Sequence, residues 1–142
     1  MFRVTKELAF CFGHRLMNYD GKCRQLHGHN ARATVTVQAE ALDDLGMVSD
    51  FSALRRHIGD WVDRTLDHKM LLHKDDPLVP LLRQTGDPVL AMEDHPTTEN
   101  LAKFIFDYVE REGYPVVEVT LWETPTSYAT YTPTGVTAVV GE

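Results

Sequence analysis

Two long stretches of this chain alternate apolar and polar side chains, and both carry histidine on the apolar parity. In residues 2–12, Phe2, Val4, Leu8, Phe10 and Phe12 share one parity, broken only by Lys6, while Arg3, Thr5 and Glu7 share the other. In residues 29–40, Ala31, Ala33, Val35, Val37 and Ala39 alternate with Asn30, Arg32, Thr34, Thr36, Gln38 and Glu40. Side chains of a strand point to opposite faces with period two, so each stretch predicts a strand with one buried face. His14 continues the apolar parity of the first strand, and His27 and His29 carry that of the second. The segment between them holds Asn18, Asp20 and Gly21 and reads as a loop. The two strands are therefore expected to pair antiparallel, with three histidines at the loop end of one face.

The rest of the chain predicts what covers that face. Phe51, Leu54, Ile58, Trp61, Val62 and Thr65 follow helical spacing after a capping Asp50 or Ser52, with an end near Leu66. Residues 73–96 contain Pro77, Pro80, Gly86, Pro88 and Pro96 and read as a long loop with one helical turn near Val79–Arg83. A second helix starts at Thr97 or Thr98, buries Leu101, Phe104, Ile105, Tyr108 and Val109, and stops at Gly113 and Pro115. Strands follow at 116–123 and at 128–140, the latter broken at Pro133-Thr134-Gly135. The expected class is α+β, with a four-stranded antiparallel sheet and two helices on one face. Residues 1–142 are read as one domain. A sheet this small has open edges, and pairing between copies is one way to cover them.

Charge and composition restrict the function classes. The formal charge is -7, which does not suit a protein built to grip the nucleic-acid backbone. No apolar run approaches the length of a membrane span, and the first residues lack the apolar core of a signal peptide. Only Cys11 and Cys23 supply thiols, so a disulfide framework is not expected and a reducing cytoplasm is the default compartment.

Chemistry concentrates in Cys23-Arg24-Gln25-Leu26-His27-Gly28-His29 together with His14. Imidazole and thiolate are preferred zinc ligands. Three neutral histidines leave zinc's fourth position open, as catalytic sites do; Cys23 as fourth ligand would instead make a closed structural site. Lys22 and Arg24 flank Cys23 with positive charge of the kind that favours thiolate. Asp67-His68 follows the first helix and admits two readings: an aspartate orienting an imidazole for proton transfer, or a histidine favoured by the helix dipole. His57, His73 and His95 have no comparable partners and are expected at the surface. Glu123 continues the apolar parity of Val117, Val119 and Leu121. It is either solvated at the strand end or matched to a ligand with paired N–H donors.

Taken together, Phe10-Cys11-Phe12-Gly13-His14-Arg15-Leu16, Cys23–His29, Met47-Val48-Ser49-Asp50-Phe51, Leu66-Asp67-His68, Pro96-Thr97-Thr98-Glu99-Asn100-Leu101 and Trp122-Glu123-Thr124-Pro125-Thr126-Ser127 carry a resemblance. They resemble the 6-pyruvoyl-tetrahydropterin synthase / 6-carboxy-5,6,7,8-tetrahydropterin synthase family from Phe10 to Tyr131. The resemblance implies a tunnelling fold, in which strands of several copies join into a barrel, and a homohexamer built as a dimer of trimers. It implies zinc at His14, His27 and His29. It implies proton transfer by Cys23, Asp67 and His68 at a subunit interface, and pterin binding by Glu123 with Thr97 and Thr98. The implied substrate is 7,8-dihydroneopterin triphosphate. The carboxy branch, serving queuosine and related deazapurines, is favoured because the short His14–Cys23 loop and the Leu-His-Gly-His context look like bacterial members. The pyruvoyl branch and a non-catalytic zinc-containing pterin binder are the alternatives. Phe12 departs from the family, which usually has a small residue there; its ring is expected either to enter the core or to narrow the pocket beside the metal.

Overall fold

The computed structural model describes residues 1–133. Among the described residues six strands form one mixed sheet: β1 (Phe2–His14), β2 (His27–Ala39), β3 (Lys69–His73), β4 (Val89–Met92), β5 (Val116–Thr124) and β6 (Ser127–Tyr131). Their order across the sheet is β4-β3-β1-β2-β5-β6. Three helices accompany them: α1 (Phe51–Thr65), α2 (Leu78–Gln84) and α3 (Thr98–Arg111).

The alternating stretches pair as their patterning predicts. β1 and β2 run antiparallel from Phe2 opposite Ala39 to His14 opposite His27, with Phe12 opposite His29. Phe10, Phe12, Ala31, Ala33, Val35 and Val37 are all buried on one face. α1 delivers Leu54, Ile58, Trp61 and Val62 to that core, and α3 delivers Leu101, Ala102, Ile105, Phe106 and Val109. Trp61 stacks on Tyr108 with ring centroids 4.0 Å apart, joining the two helices. Phe51, placed on the helical stripe, is exposed instead. Both caps act as expected: Asp50 accepts the Ser52 N–H at 2.7 Å, and Thr97 accepts the Asn100 N–H at 3.2 Å.

The sheet has six strands rather than four among the described residues, and the reason is physical. β4 lies within residues 73–96, expected to be mostly loop, while β3 falls just before them where no element was expected, and β3 runs parallel to both β1 and β4. Leu71 and Leu72 are adjacent and both fully buried, so this strand is covered on both faces and shows no alternation. α2 is a seven-residue helix where one turn was expected. His73 is not a surface residue: its side chain is 15% exposed, and its ring lies 4.7 Å from that of His95. The last strand ends at Tyr131, and the expected continuation to 140 lies outside the described residues.

Candidate metal centre and proton-transfer group

The β1–β2 register carries the first group. His14 ends β1 and is 4% exposed. Its ring lies 4.5 Å from His27 and 5.1 Å from His29, edge to face. One ligand atom from each of the three rings lies within 4.8 Å of the others. Two carbonyls set the ring orientation. His14 Nδ1 is 2.7 Å from Pro96 O, and His27 Nδ1 is 2.7 Å from Gln25 O. A carbonyl only accepts, so each Nδ1 carries a proton and each ring points Nε2 away from the carbonyl, toward the cluster. Burial, the largest influence, pushes the His14 pKa below its ordinary value despite opposing help from Pro96 O and Glu123. The neutral, ligating form is therefore favoured.

Gly28 gives the two strands a close approach between the two histidines. A Cβ there would lie 3.2 Å from Phe12 O on the paired strand. Phe12 is 3% exposed, with its ring 5.0 Å from His14 and 5.7 Å from His29. It enters the core and forms a floor beneath these rings. Glu123 comes from β5, where the β5–β6 register slips between Trp122 and Thr124. Such a slip re-aims a side chain. Glu123 Oε1 lies 3.3 Å from His14 Nε2 and 3.4 Å from His29 Nε2, yet neither nitrogen has a hydrogen-bond partner. Two buried, unpartnered imidazole nitrogens beside a carboxylate suit a divalent cation, and an imidazole-rich set suits zinc.

The second group is built where α1 ends. Leu66 and Asp67 N–H groups both donate to Val62 O, and His68 takes φ 57, which turns the chain out of the helix into β3. The His68 N–H then donates to Cys11 O at 2.7 Å. Asp67 Oδ1 accepts the Cys11 N–H at 2.9 Å, and its Oδ2 accepts from His68 Nδ1 at 2.8 Å. Burial raises the Asp67 pKa, but these hydrogen bonds outweigh it and hold the carboxyl below its usual range. The His68 ring is 78% exposed, and its Nε2 lies 3.6 Å from Cys11 Sγ. Cys11 Sγ lies 3.5 Å from His68 Nδ1.

Cys11 was missed as a functional candidate. Its signal was parity: it lies opposite Phe10 and Phe12 and so leaves the sheet on the outer face, beside Asn30. Cys23 sits half-buried in a single 3-10 turn, Lys22–Arg24, and its carbonyl closes the loop by accepting the Leu16 N–H at 2.7 Å. Both cysteines are free thiols. Among the described residues, Cys23 joins neither cluster of potential ligands; within one chain the thiol beside Asp67 and His68 is Cys11. Thr97 and Thr98 start α3, immediately after the Pro96 carbonyl that holds His14.

One cleft of about 670 Å³ brings the groups together, lined by Cys11, His27, His29, His68 and Met70 among others. Its walls carry two imidazoles of the three-histidine cluster, His27 and His29, together with that of His68.

Known proteins resemble this chain along most of its length. A 6-carboxy-5,6,7,8-tetrahydropterin synthase of Rickettsia bellii is 32% identical over 135 residues, covering 90% of this chain and 98% of the relative. One of Synechocystis sp. is 36% identical over 136 residues, covering 92% and 93%. The solved 6-pyruvoyl tetrahydropterin synthase of Caenorhabditis elegans superposes with a TM-score of 0.67 at 27% identity, covering 94% of this chain and 97% of that one. An uncharacterized Wolinella succinogenes protein shares the fold with a TM-score of 0.78 at 24% identity, covering 92% and 97%. The family model described as 6-pyruvoyl tetrahydropterin synthase matches residues 3–134, nearly the whole chain that carries the sheet, the histidines and Glu123, and the chain belongs to that family of lyase-type tetrahydropterin synthases.

Proposed function

We propose that this chain is a zinc-dependent 6-carboxy-5,6,7,8-tetrahydropterin synthase that converts 7,8-dihydroneopterin triphosphate with loss of triphosphate and acetaldehyde, in deazapurine (queuosine) biosynthesis. The observation that carries this reading is the shared cleft, reached by His27 and His29 on one side and by His68 on the other. The carboxy product is preferred because the curated relatives bear that name. The solved Caenorhabditis elegans relative bears the pyruvoyl name, which keeps the pyruvoyl product as the second reading.

In this proposal His14, His27 and His29 hold the metal. Bound there, zinc supplies Lewis acidity toward the substrate's side-chain oxygens. Asp67 fixes His68 with its Nδ1 proton inward, leaving Nε2 to take and return protons. Cys23 is the second proton carrier. It stands apart from Asp67 and His68 within one chain, so this role requires a site assembled across a subunit boundary. The edge strands β4 and β6 supply surfaces for that assembly, in keeping with a homohexamer. Thr97, Thr98 and Glu123 are the substrate-binding groups. The described helices include none long and apolar enough to cross a membrane, and a cytoplasmic enzyme is proposed.

Incubation of the zinc-loaded protein with 7,8-dihydroneopterin triphosphate, followed by mass spectrometry, tests the reading. The expected products are 6-carboxytetrahydropterin and acetaldehyde. The pyruvoyl compound without acetaldehyde would move the assignment to the second branch. Absence of any turnover, with pterin and zinc both bound, would leave a binding protein.

A further inference from the structure

The position of Glu123 has a geometric meaning of its own. Donors held about 2.0–2.1 Å from a tetrahedral zinc lie about 3.3–3.4 Å from one another. Glu123 Oε1 stands 3.3 Å from His14 Nε2 and 3.4 Å from His29 Nε2. Both separations match the donor–donor spacing that a tetrahedral metal would require. They are long for a charge-assisted N–H···O bond, which runs to about 2.7–2.9 Å. Neither contact has hydrogen-bond alignment, and both nitrogens are buried without a partner. With Nδ1 donating to Pro96 O, the His14 Nε2 edge is turned toward the Glu123 carboxylate without a hydrogen bond between them, an arrangement that a cation shared by the two would satisfy.

From this we infer that Glu123 is the fourth ligand of the metal held by His14, His27 and His29 in the substrate-free protein, so that substrate oxygens reach the metal by displacing its carboxylate. This rests on the proposed metal centre and refines the role of Glu123 there. The register slip at Glu123 supports it, because the side chain is turned toward the histidines at the point where β5 loosens from β6. A carboxylate only 24% exposed also needs a compensating charge, and no lysine or arginine pairs with Glu123 among the described residues.

Cobalt(II) is the probe, measured by chelator competition and by its visible ligand-field bands in the parent, Glu123→Gln and His29→Ala proteins. Glu123→Gln keeps the shape and removes the anionic ligand. It should bind cobalt about tenfold or more weakly, and its bands should respond to thiocyanate at concentrations that leave the parent unchanged. Neopterin added to the parent cobalt protein should shift the bands as the carboxylate leaves. X-ray absorption of the zinc-loaded parent, which requires no variant, should show a carboxylate oxygen beside imidazole donors. Tight cobalt binding with identical spectra and thiocyanate response in parent and Glu123→Gln would overturn the inference, even if the variant lost neopterin binding, for Glu123 would then contact the pterin alone. Equal cobalt affinity in parent and His29→Ala would instead remove the metal centre itself.

Discussion

Replacing Arg15 by methionine should destabilise the protein strongly, and the size follows from what it leaves behind. Arg15 Nε donates to Asp76 Oδ2 at 2.8 Å, and Nη2 donates to Oδ1. Asp76 is 1% exposed, and its Oδ1 also accepts the Leu78 N–H at 2.8 Å at the start of α2. Removing the guanidinium strands a buried carboxylate, a loss of about 3–5 kcal/mol. At about 2–4 °C per kcal/mol for a chain near this size, the midpoint of thermal unfolding should fall by roughly 6–20 °C. The double variant Arg15→Met, Asp76→Asn should recover much of that loss, because the charge is gone and the Leu78 contact can remain. Circular-dichroism melts of the four proteins measure the cycle. A fall below about 1 kcal/mol for Arg15→Met, or no recovery in the double variant, would refute the reasoning. The pH dependence has a definite sign. Burial raises the Asp76 pKa, but Arg15 and the Leu78 N–H outweigh this and hold it below its ordinary value. The pair's contribution is therefore present above the unfolded carboxyl pKa and is lost as pH falls through the lower folded value. Parent and double variant should converge in stability on acidification.

Asp67→Asn should leave zinc content unchanged and slow turnover by about a hundredfold or more, because an amide cannot accept from both Cys11 N–H and His68 Nδ1; a pH–rate profile and metal analysis check this. Gly28→Ala should force β1 and β2 apart where Phe12 O lies 3.2 Å from the new Cβ, lowering zinc affinity at least severalfold by chelator competition while the melt moves only modestly. In Cys23→Ala, Cys11 is the remaining thiol, and its alkylation by iodoacetamide should slow severalfold when His68 is also changed to Asn; equal rates would separate Cys11 from His68.

How much of this was legible from residue order depends on how many faces of each element are covered. β1 and β2 each have one covered face, so alternation revealed their pairing, register and histidine positions together. α1 and α3 carried both a capping residue and a periodic stripe. β3 escaped because Leu71 and Leu72 are both buried, and β4 because four residues after a proline carry too little pattern. The clustering of His14, His27 and His29 was legible because all three lie on strands whose parity is readable. Cys11 was not, because its partners His68 and Asp67 arrive through a turn whose left-handed residue is a histidine rather than glycine. Glu123 was placed on the correct face by parity, but its approach to His14 and His29 depends on a register slip that residue order does not announce.

These irregular points also explain why the chemistry gathers at one end of the sheet. A regular β1–β2 ladder could present histidines, but side chains within it are fixed perpendicular to the sheet and cannot converge with groups from other elements. Convergence comes from three breaks. The Pro96 carbonyl before α3 fixes the His14 ring. The left-handed turn at His68 sends an exposed imidazole back over Cys11. The slip at Glu123 brings a carboxylate to the histidines. Each break is anchored to a strand or helix that is itself well packed, so the irregular residues inherit rigid positions. Repacking the core beneath Phe12 should therefore disturb the three-histidine cluster more than the Asp67–His68 pair, because Phe12 packs against His14 and His29 directly, whereas Asp67 and His68 are tied to β1 through the backbone of Cys11.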